Sequence, residues 1–300
     1  MSIVLASTAR NISRFLSTIV HSYNKLKKYQ KDIQYVIYEN NSTDNTVVKL
    51  KEWASQDSSI HIYTETIDLT QFKARNSLNE PCKYEIIAYA RNRLLNYLQH
   101  HDQDASTVIL IDMNNENEWP IESIMKALEF PKDQYDVLIC NGIKACGSIV
   151  DIFSFRDLNT FYGPEVMPTL YYTSEYTTKS YMYVNHMISI YSGFNGLAIF
   201  NRDVIHKSDY SAFPTAELNK GYQNTCDKLI INVDPSFIEK HIGMYMFNTD
   251  IFYYNFENFN YPIISPHVSF FAKLHAQNIS RVFLCPFLEW KWYKETLIRI

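Results

Sequence analysis

The sequence predicts an α/β fold: a mostly parallel, Rossmann-like sheet flanked by helices, with a less regular second half. Two observations carry this reading. Short apolar, β-branched runs recur through the first half as SIVLAST, IQYVIYE, SIHIYTE, STVILIDMN and YDVLICNGI. Helix-patterned runs of 10 to 18 residues stand between most of them, and strands separated by helices need crossover connections, which make neighbouring strands parallel.

Taken in order, SIVLAST reads as a buried strand and ISRFLSTIVHSYNKLKKY as a helix, with Ile12, Phe15, Leu16, Ile19, Val20 and Tyr23 at helical spacing. IQYVIYE is a second strand, and STDNTVVKLKEWASQ a helix capped by Ser42 or Asp44. SIHIYTE follows as a third strand, YEIIAYARNRLLNYLQHH as a strong helix and STVILIDMN as a fourth strand. IESIMKALEF is another helix and YDVLICNGI the fifth strand. Beyond it the pattern loosens. Strand-like patches flank a Gly193-Phe194-Asn195-Gly196 turn, and CDKLIINVDPSFIEKHIGMYMFN reads as a short element, a Pro turn and a strand. No internal repeat or low-complexity linker divides the 300 residues, so a single domain is expected.

Composition narrows the function classes. With 46% apolar and 20% charged residues the chain has the profile of a soluble globular protein, although aromatics reach 15% and there are only 7 glycines. A net charge of -4 gives no general basic footprint for nucleic acid, and KLKKYQK (Lys25 to Lys31) is short enough for a solvated helix face. Five widely spaced cysteines without CxxC spacing indicate reduced thiols rather than a disulfide framework or zinc site. No apolar run reaches the roughly 18 residues of a membrane span, so a cytoplasmic protein without an integral membrane segment is expected. Asn-x-Ser/Thr triplets at Asn11, Asn40, Asn41 and Asn278 agree with that compartment, where such triplets are silent.

In a parallel sheet, ligands sit beyond the carboxyl ends of the strands. The first strand ends in STAR, the second in ENNSTD and the fourth in DMNNENE, all polar or acidic. Asp112 at the fourth strand end suits a hard divalent cation, which is usually held by one or two carboxylates plus substrate phosphates. Asn114 adds a neutral oxygen and Glu116 a further carboxylate. A helix-capping or solvated acidic loop is the alternative.

The order LASTARN, YENNSTDNT, AYARNRLLNYL, VILIDMNN, SGFNGLAIF resembles the nucleotide-sugar-dependent glycosyltransferases of the GT-A fold. Ser42-Thr43-Asp44 resembles their acidic-x-x-Ser-Thr-Asp turn, Ala90-Arg91-Asn92 their Ala-Arg-Asn helix start, and Asp112-Met113-Asn114 stands where an Asp-x-Asp motif normally lies. YENNSTDNT, RNRLLNYL, NGIKACGSIVDIFSFRD, SGFNGLAIF and CDKL are similar to the capsule-associated α-1,3-mannosyltransferase family, over roughly residues 3 to 250.

The resemblance implies a hexosyltransferase that uses GDP-mannose or a UDP-sugar as donor and a glycan or glycoconjugate hydroxyl as acceptor, with Mn²⁺ or Mg²⁺. Residues 1–146 would bind the nucleotide sugar and 147–300 the acceptor. Ser7, Thr8, Arg10, Glu39, Asn40, Asp44, Arg91 and Asp112 would form the donor site. Glu39 would accept hydrogen bonds from base or ribose, and Arg91 would face the diphosphate or the acidic loop, a structural salt bridge being its other role. Asp112, Asn114 and a C-terminal His267 would hold the metal, His241 being a similar candidate. Asp227 would act as the acid near the transferred sugar, or merely begin a helix, and the Gly193 to Gly196 turn would form the acceptor wall, or simply pack in the core.

Asn114 departs from the family pattern by replacing a second carboxylate. That leaves open a metal-independent enzyme or a catalytically inactive glycan-binding or scaffold protein on the same fold. A nucleotidyltransferase would share the sheet and the metal, but the chain lacks a Gly-rich phosphate loop near its N-terminus.

Overall fold

A computed structural model describes residues 2–72, 82–101, 104–144, 149–151, 153–158, 186–218, 220 and 264–292. Asp227, His241, Cys146 and Cys226 lie outside these residues. The first half follows the predicted alternation: β1 (Ile3–Ala9), α1 (Leu16–Tyr29), β2 (Ile33–Asn40), α2 (Thr46–Gln56), β3 (Ile60–Glu65), α3 (Lys83–Leu98), β4 (Thr107–Ile111), α4 (Ile121–Leu128) and β5 (Val137–Ile143). β6 (Ile188–Ser189), β7 (Leu197–Asn201), α5 (Arg202–Ile205), α6 (Pro266–His275) and β8 (Val282–Lys291) follow.

All eight strands join one sheet in the order β3-β2-β1-β4-β7-β5-β8-β6. β3, β2, β1 and β4 run parallel, β7 enters antiparallel between β4 and β5, β8 lies parallel to β5, and β6 pairs antiparallel with β8. The sheet is therefore mixed and mostly parallel. Among the described residues beyond 146, β7 and β8 complete the sheet that β1 to β5 begin.

The pleat of β1 sorts the chain into two cores, since side chains alternate across a sheet. Ile3 and Leu5 pack on one face with Leu16, Ile19, Tyr23 and Leu26 of α1, Leu50 and Trp53 of α2, and Ile121 and Ile124 of α4. Val4 and Ala6 pack on the other with Leu94, Leu95 and Leu98 of α3 and Phe270, Phe271 and Leu274 of α6. Helix α1 begins at Leu16 rather than at Ile12. Ile12 and Phe15 are buried in the preceding turn, where Phe15 N–H donates to the Ile12 carbonyl at 2.9 Å.

Strand β8, which carries Pro286 in FLCPFLEWK, has a register shift against β5 between Cys140 and Asn141. Pro has no N–H for the ladder and is tolerated at such bulges. Cys82, Cys140 and Cys285 are buried free thiols. Among the described residues, no helix is long and apolar enough to cross a membrane.

Candidate functional site

Chain order reverses between β1 and β4, and a crevice opens at their carboxyl ends, where parallel α/β sheets take ligands. It is lined by Ser7 and Thr8 of β1, Ile111 and Asp112 at the end of β4, Arg91 of α3, Phe194 and Tyr210. Alternation along β1 decides what each residue offers. Ser7 faces the α1 side, where its hydroxyl donates to the Ile111 carbonyl at 2.5 Å and meets the Tyr35 hydroxyl at 2.8 Å. That side chain is committed to the fold, and only the Ser7 backbone is left for a ligand. Thr8 is part-exposed, and Arg10 is exposed at the rim.

Asp112 is anchored by its backbone, whose N–H donates to the Gly196 carbonyl at 2.8 Å. Its carboxylate stands 3.9 Å from the Arg91 guanidinium. Burial pushes the Asp112 carboxyl up to about 7; Arg91 lowers it in part and the nearby Asp151 raises it further. Both readings of Arg91 thus meet in one geometry: it pairs loosely with Asp112 and also lines the crevice.

The two arginines of the ARNR segment divide because residues two apart on a helix point to different sides. Arg93 Nε donates to Glu65 at 2.9 Å, and Glu65 also accepts from Tyr38 and Tyr89 at 2.8 Å each. Arg91 turns instead to the strand ends, its charge 4.8 Å from the Phe194 ring centre and 5.4 Å from that of Tyr210. Cationic guanidinium over aromatic faces is a favourable contact. Asn92 supports this cage by donating to the Tyr210 carbonyl at 2.9 Å and accepting its N–H at 2.7 Å. The triplet lies well inside α3, because the helix starts at Lys83.

His267, an expected metal ligand, stands beside Arg91. It is 2% exposed, stacks on Phe194 at 4.3 Å and accepts a hydrogen bond at Nε2 from Arg91. Burial, reinforced by the Arg91 charge, holds its imidazole well below the usual range, so it is neutral and buttresses the guanidinium. The other ring nitrogen of His267, Nδ1, has no hydrogen-bond partner among the described residues. Asn114 is exposed on the loop after β4. Its neighbour Asn115 is the structural one, with its amide donating to the Lys291 carbonyl at 3.1 Å. Among the described residues, no three His, Cys, Asp or Glu side chains converge as a metal cage. What remains is the Asp112 carboxylate with Asp151 in its field, a hard oxygen set that fits Mg²⁺ or Mn²⁺ if ligand phosphates complete the shell.

The second strand end lies beside the first, with Glu39 in register with Ala9. Glu39 is 2% exposed and accepts the Ser42 N–H at 2.9 Å, which folds the loop back on the strand. Asn40 is buried beside it, its amide 3.4 Å from Asn41 Oδ1. Asn41, at φ 51°, clamps Ile67 by accepting its N–H at 2.9 Å and donating to its carbonyl at 3.0 Å.

Asp44 accepts the Thr46 N–H at 2.9 Å and the Ser13 N–H at 3.2 Å, so Asp44 rather than Ser42 caps the start of α2. Desolvation works to raise its carboxyl, but these hydrogen bonds bring it to about 2. Ser42 Oγ instead accepts the Asn11 N–H at 2.9 Å. Asn11, Asn41 and Asn278 all adopt positive φ, a region Asn tolerates better than most residues. Turn geometry therefore accounts for three of the four Asn-x-Ser/Thr triplets.

Tyr210 carries no signal in the sequence, whereas Phe194 belongs to the Gly193 to Gly196 turn and Asn92 to the Ala90-Arg91-Asn92 triplet. The Asp-x-Phe-x-x-Arg spacing of Asp151 to Arg156 was the one available signal for Asp151.

Residues 3–90 match the sequence profile of Glycosyl transferase family 2, under a third of the chain. No curated protein matches. Among solved structures, S. aureus TarS 1-349 is 12% identical, with 74% of this chain and 54% of that one covered at a TM-score of 0.41. The mannosyltransferase PcManGT from Pyrobaculum calidifontis, in complex with GDP-Man and Mn²⁺, is 12% identical, with 76% and 52% covered at a TM-score of 0.39. Glucosyl-3-phosphoglycerate synthase from Mycobacterium tuberculosis, in complex with Mg²⁺ and UDP, is 15% identical, with 76% and 66% covered at a TM-score of 0.38. The chain spans about half the length of the first two. From β1 into α3, over the residues that carry Ser7, Thr8, Glu39 and Asp44, the chain has the sequence pattern of Glycosyl transferase family 2.

Proposed function

We propose that the protein is a glycosyltransferase that moves a hexose from a nucleoside-diphosphate sugar, GDP-mannose or a UDP-sugar, to a hydroxyl of a glycan or glycoconjugate. One observation carries the reading: Asp112 and Arg91 face each other 3.9 Å apart in the crevice at the β1/β4 strand ends. A carboxylate and a guanidinium so placed suit the two needs of a bound diphosphate, a divalent cation and a direct cationic partner. The family 2 pattern over residues 3–90 supports the same reading.

Arg91 would bind the diphosphate and steady the charge that develops on it as the glycosidic bond breaks. Phe194, Tyr210 and His267 hold Arg91 at the strand ends. The buried Glu39, with one oxygen committed to Ser42, would offer its other oxygen to base or ribose. A bound Mn²⁺ or Mg²⁺ would neutralise diphosphate charge beside Asp112. Asp227, outside the described residues, is the proposed acid near the transferred sugar.

Calorimetry with UDP and GDP, with and without Mn²⁺, tests the proposal, followed by release of free sugar from the matching sugar nucleotide. Binding should depend on Mn²⁺ and lose that dependence in Asp112→Ala. Absence of binding to either nucleotide, in a folded protein, would overturn it and favour an inactive glycan-binding protein on this fold.

A further inference from the structure

We propose that Asp151 is the second carboxylate of this crevice and, paired with Asp112, holds the divalent cation of the bound diphosphate. The inference rests on the glycosyltransferase reading and names the group that stands in for the carboxylate missing at Asn114.

Two adjacent residues of one turn anchor both acids. Asp112 N–H donates to the Gly196 carbonyl at 2.8 Å, and Asp151 N–H donates to Asn195 Oδ1 at 3.3 Å. The segment carrying Asp151 is laced to the same turn, since Arg156 and Ser192 exchange backbone hydrogen bonds at 3.0 and 3.2 Å. Both backbones are thus tied to one turn.

The turn has little room to shift. A Cβ on Gly142 would lie 2.3 Å from the Asn195 carbonyl oxygen, and one on Gly196, at φ 95°, would lie 2.5 Å from the Trp292 ring. Asn195 itself sits at φ 53° and is fully buried. Its Oδ1 serves Asp151, while its Nδ2 has no partner among the described residues. A buried amide donor without an acceptor is costly, and this one belongs to the residue that joins the two acids. A ligand oxygen at the junction would satisfy it.

Asp151 Oδ1 accepts the Ser154 N–H at 3.2 Å, which among the described residues leaves Oδ2 available to a cation.

Mn²⁺ uptake followed by electron paramagnetic resonance, with and without UDP or GDP, tests this in the full chain. Asp151→Asn should weaken Mn²⁺ uptake at least tenfold, as Asp112→Asn does, while Asp151→Glu restores part. Melting temperature checks the fold. If Asp151→Asn unfolds, Asp151→Ser keeps an acceptor for Ser154 and carries the comparison. Wild-type uptake in Asp151→Asn beside lost uptake in Asp112→Asn would overturn the role of Asp151 and leave the glycosyltransferase reading standing. Uptake that needs both acids in a protein binding neither nucleotide would support the carboxylate pair and overturn the glycosyltransferase reading. No Mn²⁺ uptake by the wild type would overturn the pair outright.

Discussion

Replacing Asp112 by Asn should stabilise the protein at alkaline pH while removing its metal-dependent chemistry. In the folded chain the Asp112 carboxyl is pushed from 3.8 up to about 7, chiefly by burial. Between those values the native state binds more protons than the unfolded state, so stability falls as pH rises. The contribution of this group is full below about pH 4 and lost as pH climbs through about 7. About 1.4 kcal/mol per pH unit gives an upper bound of about 4 kcal/mol. With its side chain 30% exposed, solvent screening reduces the expectation to roughly 1–2 kcal/mol.

Asn carries no charge to desolvate. Asp112→Asn should therefore melt only slightly above the wild type at pH 5, where roughly a third of the effect has developed, and roughly 2–6 °C above it at pH 8.5, at a few degrees per kcal/mol for a chain of this size. The assay is thermal melting across that pH range in chelator. Adding Mn²⁺ at pH 8.5 should raise the wild-type midpoint and leave the variant unmoved, because only a species that binds the folded state shifts it. A difference in midpoint that is the same at pH 5 and pH 8.5 would refute the reasoning, since it would show that Asp112 is not held against its ionisation.

Two further outcomes follow from the walls of the crevice. Asn92→Ala removes both hydrogen bonds to the Tyr210 backbone, which should cost about 1–3 kcal/mol and weaken nucleotide binding through Arg91; an unchanged affinity in calorimetry would detach Tyr210 from the site. Glu39→Gln keeps an acceptor for the Ser42 N–H and should melt like the wild type yet bind nucleotide roughly ten- to a hundredfold more weakly. Normal binding by Glu39→Gln, beside early melting of Glu39→Ala, would confine Glu39 to holding its turn.

The regular half of the fold was legible because each element there satisfies a local rule. Strands β1 to β5 are short apolar runs, and α1 to α4 carry their buried residues at helical spacing. Polar strand ends then located the crevice, and Asp112, Arg91, Thr8 and Glu39 fall on its walls or beside them. Strand β7 could be seen as strand-like, but its antiparallel place between β4 and β5 depends on pairing with residues far away in the chain. Strand β8 was obscured by Pro286, which becomes tolerable only at a bulge against β5.

The same limit governs the site. Sequence determined which residues could carry charge and metal chemistry, since that follows from residue type and from position at a strand end. Only the tertiary structure decided their roles. It turned the Ser7 hydroxyl inward to Tyr35, set His267 against Arg91, and brought Asp151 to the turn that anchors Asp112. Each outcome depends on a side-chain direction or a contact between segments distant in the chain, and a linear pattern of residues does not contain that distance.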